Sequence, residues 1–376
     1  MENGKEKPDY RQQPGEVETL NKQGKVNQIN PKFDDSFLDN PETIKNHIAE
    51  IENKLSEPTE TNGLFLVKTA NIWIEGAKQR PIPKMIFSEF WFEGELCILF
   101  ADTNLGKSIL AVQIGDSISR GEYIPGFKFE AVKQAVLYFD FEMGDKQFEA
   151  RYSTNFQNHY QWNNLFFRAE VNPESDLPKT FSNIEEYINH SIEKSIIETG
   201  AKILIIDNLT YLRNETERAK DALPLMKHLK ALKSKYQLSI LALAHTPKRD
   251  LSKPITRNDL QGSKMLINFC DSSFAIGESS QDSKLRYIKQ IKARNTEIIF
   301  DSENVISCQI DKPINFLGFE FIGYSTEGEH LRQQTDADRE TLKTRIIELK
   351  TAGRSLREIG SELNISHMKV KRILEL

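Results

Sequence analysis

Cysteine is scarce in this chain. Of 376 residues only Cys97, Cys270 and Cys308 are cysteines, each in or beside an apolar run. No metal-ligand spacing links them, so neither a disulfide framework nor a thiolate metal site is expected, and all three read as reduced, buried thiols. Long apolar runs are missing as well: nothing in the sequence approaches the length that spans a bilayer. The N-terminal stretch "MENGKEKPDYRQQPGEVETLNKQGKVNQ" has no apolar core of the kind a secretory signal needs, which leads to the expectation of a cytoplasmic protein without a membrane partner. Nor is there an excess of one charge. Fifty basic against 55 acidic residues leave a formal net charge of -5. Any attraction to nucleic acid must then come from local patches.

What is present divides the chain. Residues 1–39 are rich in Gln, Asn, Lys and Glu, and composition predicts disorder. Residues 40–63 hold an amphipathic helix and a linker. Asn40 can cap the helix ahead of Pro41, and Ile44, Ile48, Ile51 and Leu55 make one apolar stripe. That stripe suits either packing on its own domain or a latch onto a neighbouring subunit. Over 64–325, short runs such as "GELCILF", "AVLYFDFE", "LFFRAE", "AKILIIDN" and "LSILALAH" alternate with helical patterns. Continuous apolar strands separated by helices predict an α/β domain with a mostly parallel sheet covered on both faces. "LRYIKQIKARN", "EIIF", "NVISCQI" and "FLGFEFIGY" predict antiparallel strands added at one edge. Residues 326–335 read as a polar linker, and 336–376 as a small all-α domain.

The stretch "FADTNLGKSIL" carries the back half of a phosphate-binding loop. The pattern G-x-x-x-x-G-K-[ST] wants glycine where Ala101 stands. The loop residues are Ala101, Asp102, Thr103, Asn104, Leu105, Gly106, Lys107, Ser108 and Ile109. Lys107 would reach the terminal phosphates of ATP, and the Ser108 hydroxyl would bind Mg²⁺. Gly106 would let the backbone approach the phosphates. The methyl group of Ala101 costs little if its φ stays negative. Asp207, closing "AKILIIDN", sits where open α/β sheets bind ligands and would hold the metal. Glu142, after "VLYFD", is the candidate general base for the attacking water, with Asp140 as its competitor. His245 ends "ILALAH" and could sense the γ-phosphate. The basic loop that follows carries Lys248, Arg249, Lys253, Arg257 and Lys264, and suits a polyanion gripped according to nucleotide state, or else a solvated surface. Lys292 and Arg294 in "IKARN" point to one face of a strand.

This ordered set resembles the RecA-like ATPases, and within them the branch of the hexameric replicative helicase RepA, with DnaB-type and RadA/KaiC-like proteins as cousins. The resemblance covers residues 80–310. It implies a RecA-like sheet, ATP and Mg²⁺ as cofactors, a homo-oligomeric ring, often a hexamer, and single-stranded DNA in the central channel. It also implies catalytic roles for Lys107, Glu142 and His245, and a pair acting in trans for Lys292 and Arg294. Gly262, Ser263 and Asp271 are similar to the family's G-S helix and following aspartate.

The C-terminal block is a second, independent signal. Its first helix should stop near Gly353, Ser355 and Glu358 form a capping box, and "NIS" makes a tight turn. The last helix bears His367, Met368, Lys369, Lys371 and Arg372. The block resembles the helix-turn-helix of resolvases and transposon proteins, which would read duplex DNA in the major groove. A protein-docking helical domain is the competing interpretation. The two signals together lead to the expectation of a helicase or helicase-related ATPase of a plasmid or mobile element. A non-unwinding, ATP-gated regulator of replication initiation or transposition is the alternative.

Overall fold

The structure is a computed structural model that describes residues 17–20, 26–29, 42, 45, 49, 65–212, 222–247, 249–260, 263–333, 336–363, 365 and 367–374. The expected stripe at Ile44, Ile48, Ile51 and Leu55 lies outside them, as do Lys248, Gly262 and Ser366. Contacts divide the chain into two units, Met1–Ile82 and Pro83–Leu376. In the first, β1 (Val17–Leu20) pairs antiparallel with β2 (Val26–Ile29) inside the region whose composition predicts disorder. The same unit holds α1 (Ala70–Lys78), capped by the Thr69 hydroxyl.

The second unit opens with the short antiparallel pair β3 (Met85–Phe87) and β4 (Trp91–Phe92). Then come β5 (Leu96–Ala101), α2 (Lys107–Arg120), β6 (Val136–Asp140) and α3 (Asp145–Arg151). A small hairpin, β7 (Ser153–Thr154) and β8 (Asn158–His159), leads to β9 (Phe166–Ala169) and α4 (Ile184–Thr199). They are followed by β10 (Ile203–Asp207), α5 (Ala222–Tyr236), β11 (Ser239–His245) and α6 (Ser263–Phe269). The edge strands are β12 (Ser272–Glu278), β13 (Leu285–Lys292), β14 (Val305–Asp311) and β15 (Gly318–Ser325).

Nine of these strands form one sheet in the order β15-β14-β13-β12-β5-β11-β10-β6-β9. From β12 to β9 every pairing is parallel, and β13, β14 and β15 add antiparallel to the edge, as the sequence predicts. The central strands are buried along their length because both faces are covered. Cys97 and Leu99 face a core completed by Leu110, Ile114 and Ile118 of α2. Leu96, Ile98 and Phe100 face the other core, completed by Ile192 and Ile196 of α4 and Leu225 and Leu229 of α5. This alternation is the period-two signature of a strand read from both sides. All three cysteines are buried, and burial raises their thiols, that of Cys270 to about 11.

Two expectations are corrected here. "EIIF" is not a strand: Glu297–Phe300 crosses β13 irregularly, with Ile299 and Phe300 donating to the Gln290 side chain. The polar stretch 326–335 contains α7 (Glu327–His330), whose Glu327 and His330 are buried. Glu327 pairs with Lys289 of β13 at 2.5 Å and accepts from the amide of Ile255 at 2.7 Å and the Tyr287 hydroxyl at 3.1 Å. His330 meets the hydroxyls of Ser279 at 2.9 Å and Ser325 at 2.7 Å. Arg332 donates to the Leu251 carbonyl. Polar residues read as solvated because sequence shows no partners, and here all the partners named but Ser325 come from a distant strand or loop.

The C-terminal helices have a core of their own. α8 (Asp336–Thr351), α9 (Leu356–Glu362) and α10 (His367–Leu374) close around Ile346, Leu349, Ile359 and Val370. Gly353 takes φ +84 after α8, and the Ser355–Glu358 capping box forms as expected. At Gly360 a Cβ would meet the Ile365 carbonyl at 2.7 Å, so only glycine lets the turn fold back this tightly.

Candidate active site

The carboxyl ends of four adjacent strands make the site. His245 stands in register with Ala101, and Asp207 with Asp140, so β5, β11, β10 and β6 deliver their last residues to one edge of the sheet. Ala101 ends β5 buried and outside the positive-φ residues, so the missing glycine costs no backbone strain. The loop turns instead at Asn104, with φ +62, and Gly106, with φ +94. Asparagine is among the few residues that take this conformation readily. At Gly106 a Cβ would also strike Ile310 and Phe319 of the edge hairpin at 2.8–2.9 Å. Leu105 is buried in the core, which anchors the loop.

A cavity of about 200 Å³ opens above the loop, lined by Thr103, Asn104, Gly106, Lys107, Ser108, Ile109, Glu142, Arg151 and His245. Lys107 Nζ donates to the carbonyls of Ala101 at 3.1 Å and Asp102 at 3.0 Å and faces His245 Nδ1 at 3.2 Å. An ammonium has three protons and three acceptors here. That makes Nδ1 the acceptor from Lys107, and Nε2 faces both the Asn208 side-chain nitrogen at 3.1 Å and Glu142 Oε1 at 3.4 Å. Burial lowers the Lys107 pKa, and Asp207, Glu142 and Asp102 oppose that shift.

Asp140 and Glu142 differ in their partners. The Asp140 side chain is fully buried, ion-paired to Arg168 at 2.9 Å, and accepts from the amides of Glu142 and Met143. Its charge is already neutralised and its lone pairs are committed. Glu142 lies just past β6 and lines the cavity, and its carboxylate accepts from the Asn208 amide. The His245 hydrogen bond holds its pKa below the usual carboxylate range, despite partial burial. An ionised, half-exposed carboxylate in a cavity can accept a proton from water.

Asp207 is 1% exposed. Burial raises its carboxyl to about 6, against the opposing hydrogen bonds from the hydroxyls of Ser108 and Tyr138, the latter at 2.6 Å. A buried carboxylate beside a serine hydroxyl at a helix N-terminus is an all-oxygen donor set. It fits a small hard cation such as Mg²⁺, which takes few protein ligands and completes its shell with water and phosphate.

Residues 66–250 match the protein-family model described as AAA domain. The phosphate loop, Glu142, Asp207 and His245 all lie within that matched stretch. Among solved structures the chain is similar to a KaiC-like protein of the hyperthermophilic archaeon Pyrococcus horikoshii, with 13% identity and a TM-score of 0.43 over 61% of this chain and 91% of that one. No curated protein matches the sequence. Among the described residues no helix is long and apolar enough to cross a membrane.

The other candidate residues lie apart from the cavity. Lys292 ends β13, and Arg294 falls in the turn beyond it, so the two do not share a strand face. Lys292 donates to the carbonyls of Ile267 and Cys270, and Arg294 pairs with Asp271 at 3.2 Å. In the basic loop Arg249 turns inward, with its side chain 6% exposed and bonded to the Lys253 carbonyl. It supports the loop from beneath. Lys253 and Arg257 are exposed, with Lys253 paired to Asp250 at 3.0 Å. Lys264 falls not in the loop but in the first turn of α6. On α10, His367, Lys371 and Arg372 are exposed and Lys369 is half-buried. Arg151 is the cavity residue that sequence reasoning missed. No motif marks it, and only the fold of α3 brings it to the loop.

Proposed function

We propose that the protein is an ATP-hydrolysing, RecA-like DNA-binding motor, a RepA-like replicative helicase or helicase-related ATPase of a plasmid or mobile element. The observation that carries this reading is the hydrogen-bonded set Lys107, His245 and Glu142 in one cavity at the strand ends. Lys107 and the loop amides bind the phosphates of ATP, and Glu142 takes the proton of the attacking water. His245 touches both Lys107 and Glu142, so its position registers whether the γ-phosphate lies between them. Ser108 and Asp207 would hold Mg²⁺, which would neutralise charge on the phosphates.

Lys292 and Arg294 sit at the opposite end of the sheet from the phosphate loop, since β13 runs antiparallel to β12 and ends beside Ser273. They cannot reach their own cavity. This position supports a role in trans within a homo-oligomeric ring, in this reading a hexamer. DNA engages twice. The exposed loop cations Lys253 and Arg257 grip a single strand, with Lys248 and Lys264 on either side of them in the chain. α10, with His367, Lys369, Lys371 and Arg372, reads duplex.

Exchanging Lys253 and Arg257 for glutamine together should abolish stimulation of ATP turnover by single-stranded DNA and leave duplex binding intact. Exchanging Lys371 and Arg372 for glutamine should do the reverse and lower the salt slope of duplex binding by about 1 for each phosphate no longer neutralised. Turnover and duplex affinity measured at one salt concentration, with the slope from a salt series, check both. If either double variant loses both activities, the two-contact motor is wrong.

The raised Asp207 carboxyl gives a pH dependence. A carboxyl whose folded pKa lies above its unfolded value favours the fold when protonated, and that contribution fades as pH rises from 3.8 through about 6. Mg²⁺ binding has the opposite sign because the cation must displace the proton. Magnesium-dependent nucleotide affinity should therefore fall about tenfold per pH unit below pH 6. Titration of an ATP analogue with and without Mg²⁺ at pH 7 and pH 5 would show it. A magnesium effect of equal size at both would remove Asp207 from the metal.

A further inference from the structure

Asn208 follows Asp207 at the end of β10 and is 3% exposed. Its backbone is held from two sides. Phe141 donates to the Asp207 carbonyl at 2.9 Å, which carries the β6–β10 ladder one step past the strands. Leu209 donates to the Leu243 carbonyl of β11, also at 2.9 Å. Phe141 further stacks on Tyr211, with ring centroids 4.5 Å apart and planes 5° from parallel. The Asn208 side chain therefore leaves from a fixed point between the ends of β6 and β11, where Glu142 and His245 stand.

Its surroundings orient the carboxamide. The Thr210 amide, which can only donate, lies 2.8 Å from Oδ1, and the Thr210 hydroxyl donates to the same oxygen. Nδ2 then faces the other way. It donates to Glu142 Oε1 and lies 3.1 Å from His245 Nε2. Glu142 sits beyond its strand with a side chain 46% exposed, and its contact with His245 is long, at 3.4 Å. The buried amide is its short, firmly mounted tie.

We propose that Asn208 is a positioning residue for hydrolysis: its amide holds the Glu142 carboxylate where it can take the proton of the attacking water. This rests on the reading of the cavity as an ATP site with Glu142 as its base. A carboxylate on a flexible side chain spends time in orientations that do not face the water, and a hydrogen bond from an immobile donor removes that freedom. A neutral amide does so without adding charge. A cation in its place would neutralise the base, as Arg168 neutralises Asp140. Asn208 does not line the cavity, so it acts on turnover and not on nucleotide binding.

The test is single-turnover hydrolysis by the full chain, beside its equilibrium affinity for a non-hydrolysable ATP analogue, both with Mg²⁺ and in two backgrounds. Asn208→Ala should slow hydrolysis about 10–100-fold, the scale of one hydrogen bond to a charged group, and leave analogue affinity unchanged. Added to Glu142→Gln, it should slow the residual hydrolysis no further, because the base that it positions is gone. Thr210→Val changes an exposed residue and removes one of the two donors that orient the amide. It should give a smaller loss of the same kind, about 2–10-fold, and it decides the matter if Asn208→Ala does not fold. Equal slowing in both backgrounds, a fall in analogue affinity, or no slowing at all overturns the assignment. If the unaltered protein does not bind the analogue, the ATP-site reading itself fails and takes the proposal with it.

Discussion

Lys107→Ala should abolish tight ATP binding and with it turnover. The side chain is buried against the loop that it follows, and its three protons are held by the Ala101 and Asp102 carbonyls and by His245. These are weak ties compared with phosphate, because carbonyl and imidazole acceptors are neutral and phosphate oxygens are not. Burial already lowers the Lys107 pKa, so the protonated form gains most from an incoming anion. Removing it leaves the loop amides alone to offset the triphosphate charge. Restoring glycine at Ala101 should change affinity little, since that residue ends a strand in ordinary backbone. Equilibrium binding of a fluorescent ATP analogue measures both. An alanine variant that hydrolyses ATP normally would end the reading of this cavity as the nucleotide site.

Glu142→Gln should keep ATP binding and lower turnover about 10²–10⁴-fold, the scale set by removing a general base. Glutamine preserves the shape and can still accept from the Asn208 amide, so positioning survives while basicity does not. Asp140→Asn should behave differently. Its carboxylate neutralises Arg168 and caps the turn that presents Glu142. The change should lower thermal stability and reduce turnover less. Single-turnover hydrolysis beside thermal melts separates the two effects. Equal falls in turnover would return the base assignment to Asp140.

Much of this site is legible in the sequence because its parts lie at strand ends. A run of buried β-branched and aliphatic residues fixes where a strand stops, and so Ala101, Asp207 and His245 can be placed together before any coordinates are seen. The same logic orders the parallel sheet. What escapes it is contact between elements far apart in the chain. Position along the strand favours Glu142 over Asp140, but that Asp140 is already paired to Arg168, on the neighbouring strand β9, is visible only in the fold. Arg151 looks like any helical arginine until α3 docks on its aromatic bed. Arg249 reads as one more loop cation, yet it faces inward. Residues 326–335 mislead in the same way: their polarity points to water, and the fold supplies Lys289, Tyr287 and a row of serines.

That last segment is held by the sheet domain. Glu327 is fastened to Ile255 in the basic loop and to Lys289 in β13, and Arg332 is tied to Leu251. The contacts of the sheet domain therefore extend through Arg332. α7 is thereby fastened to the same stretch of chain that follows β11 and its terminal His245.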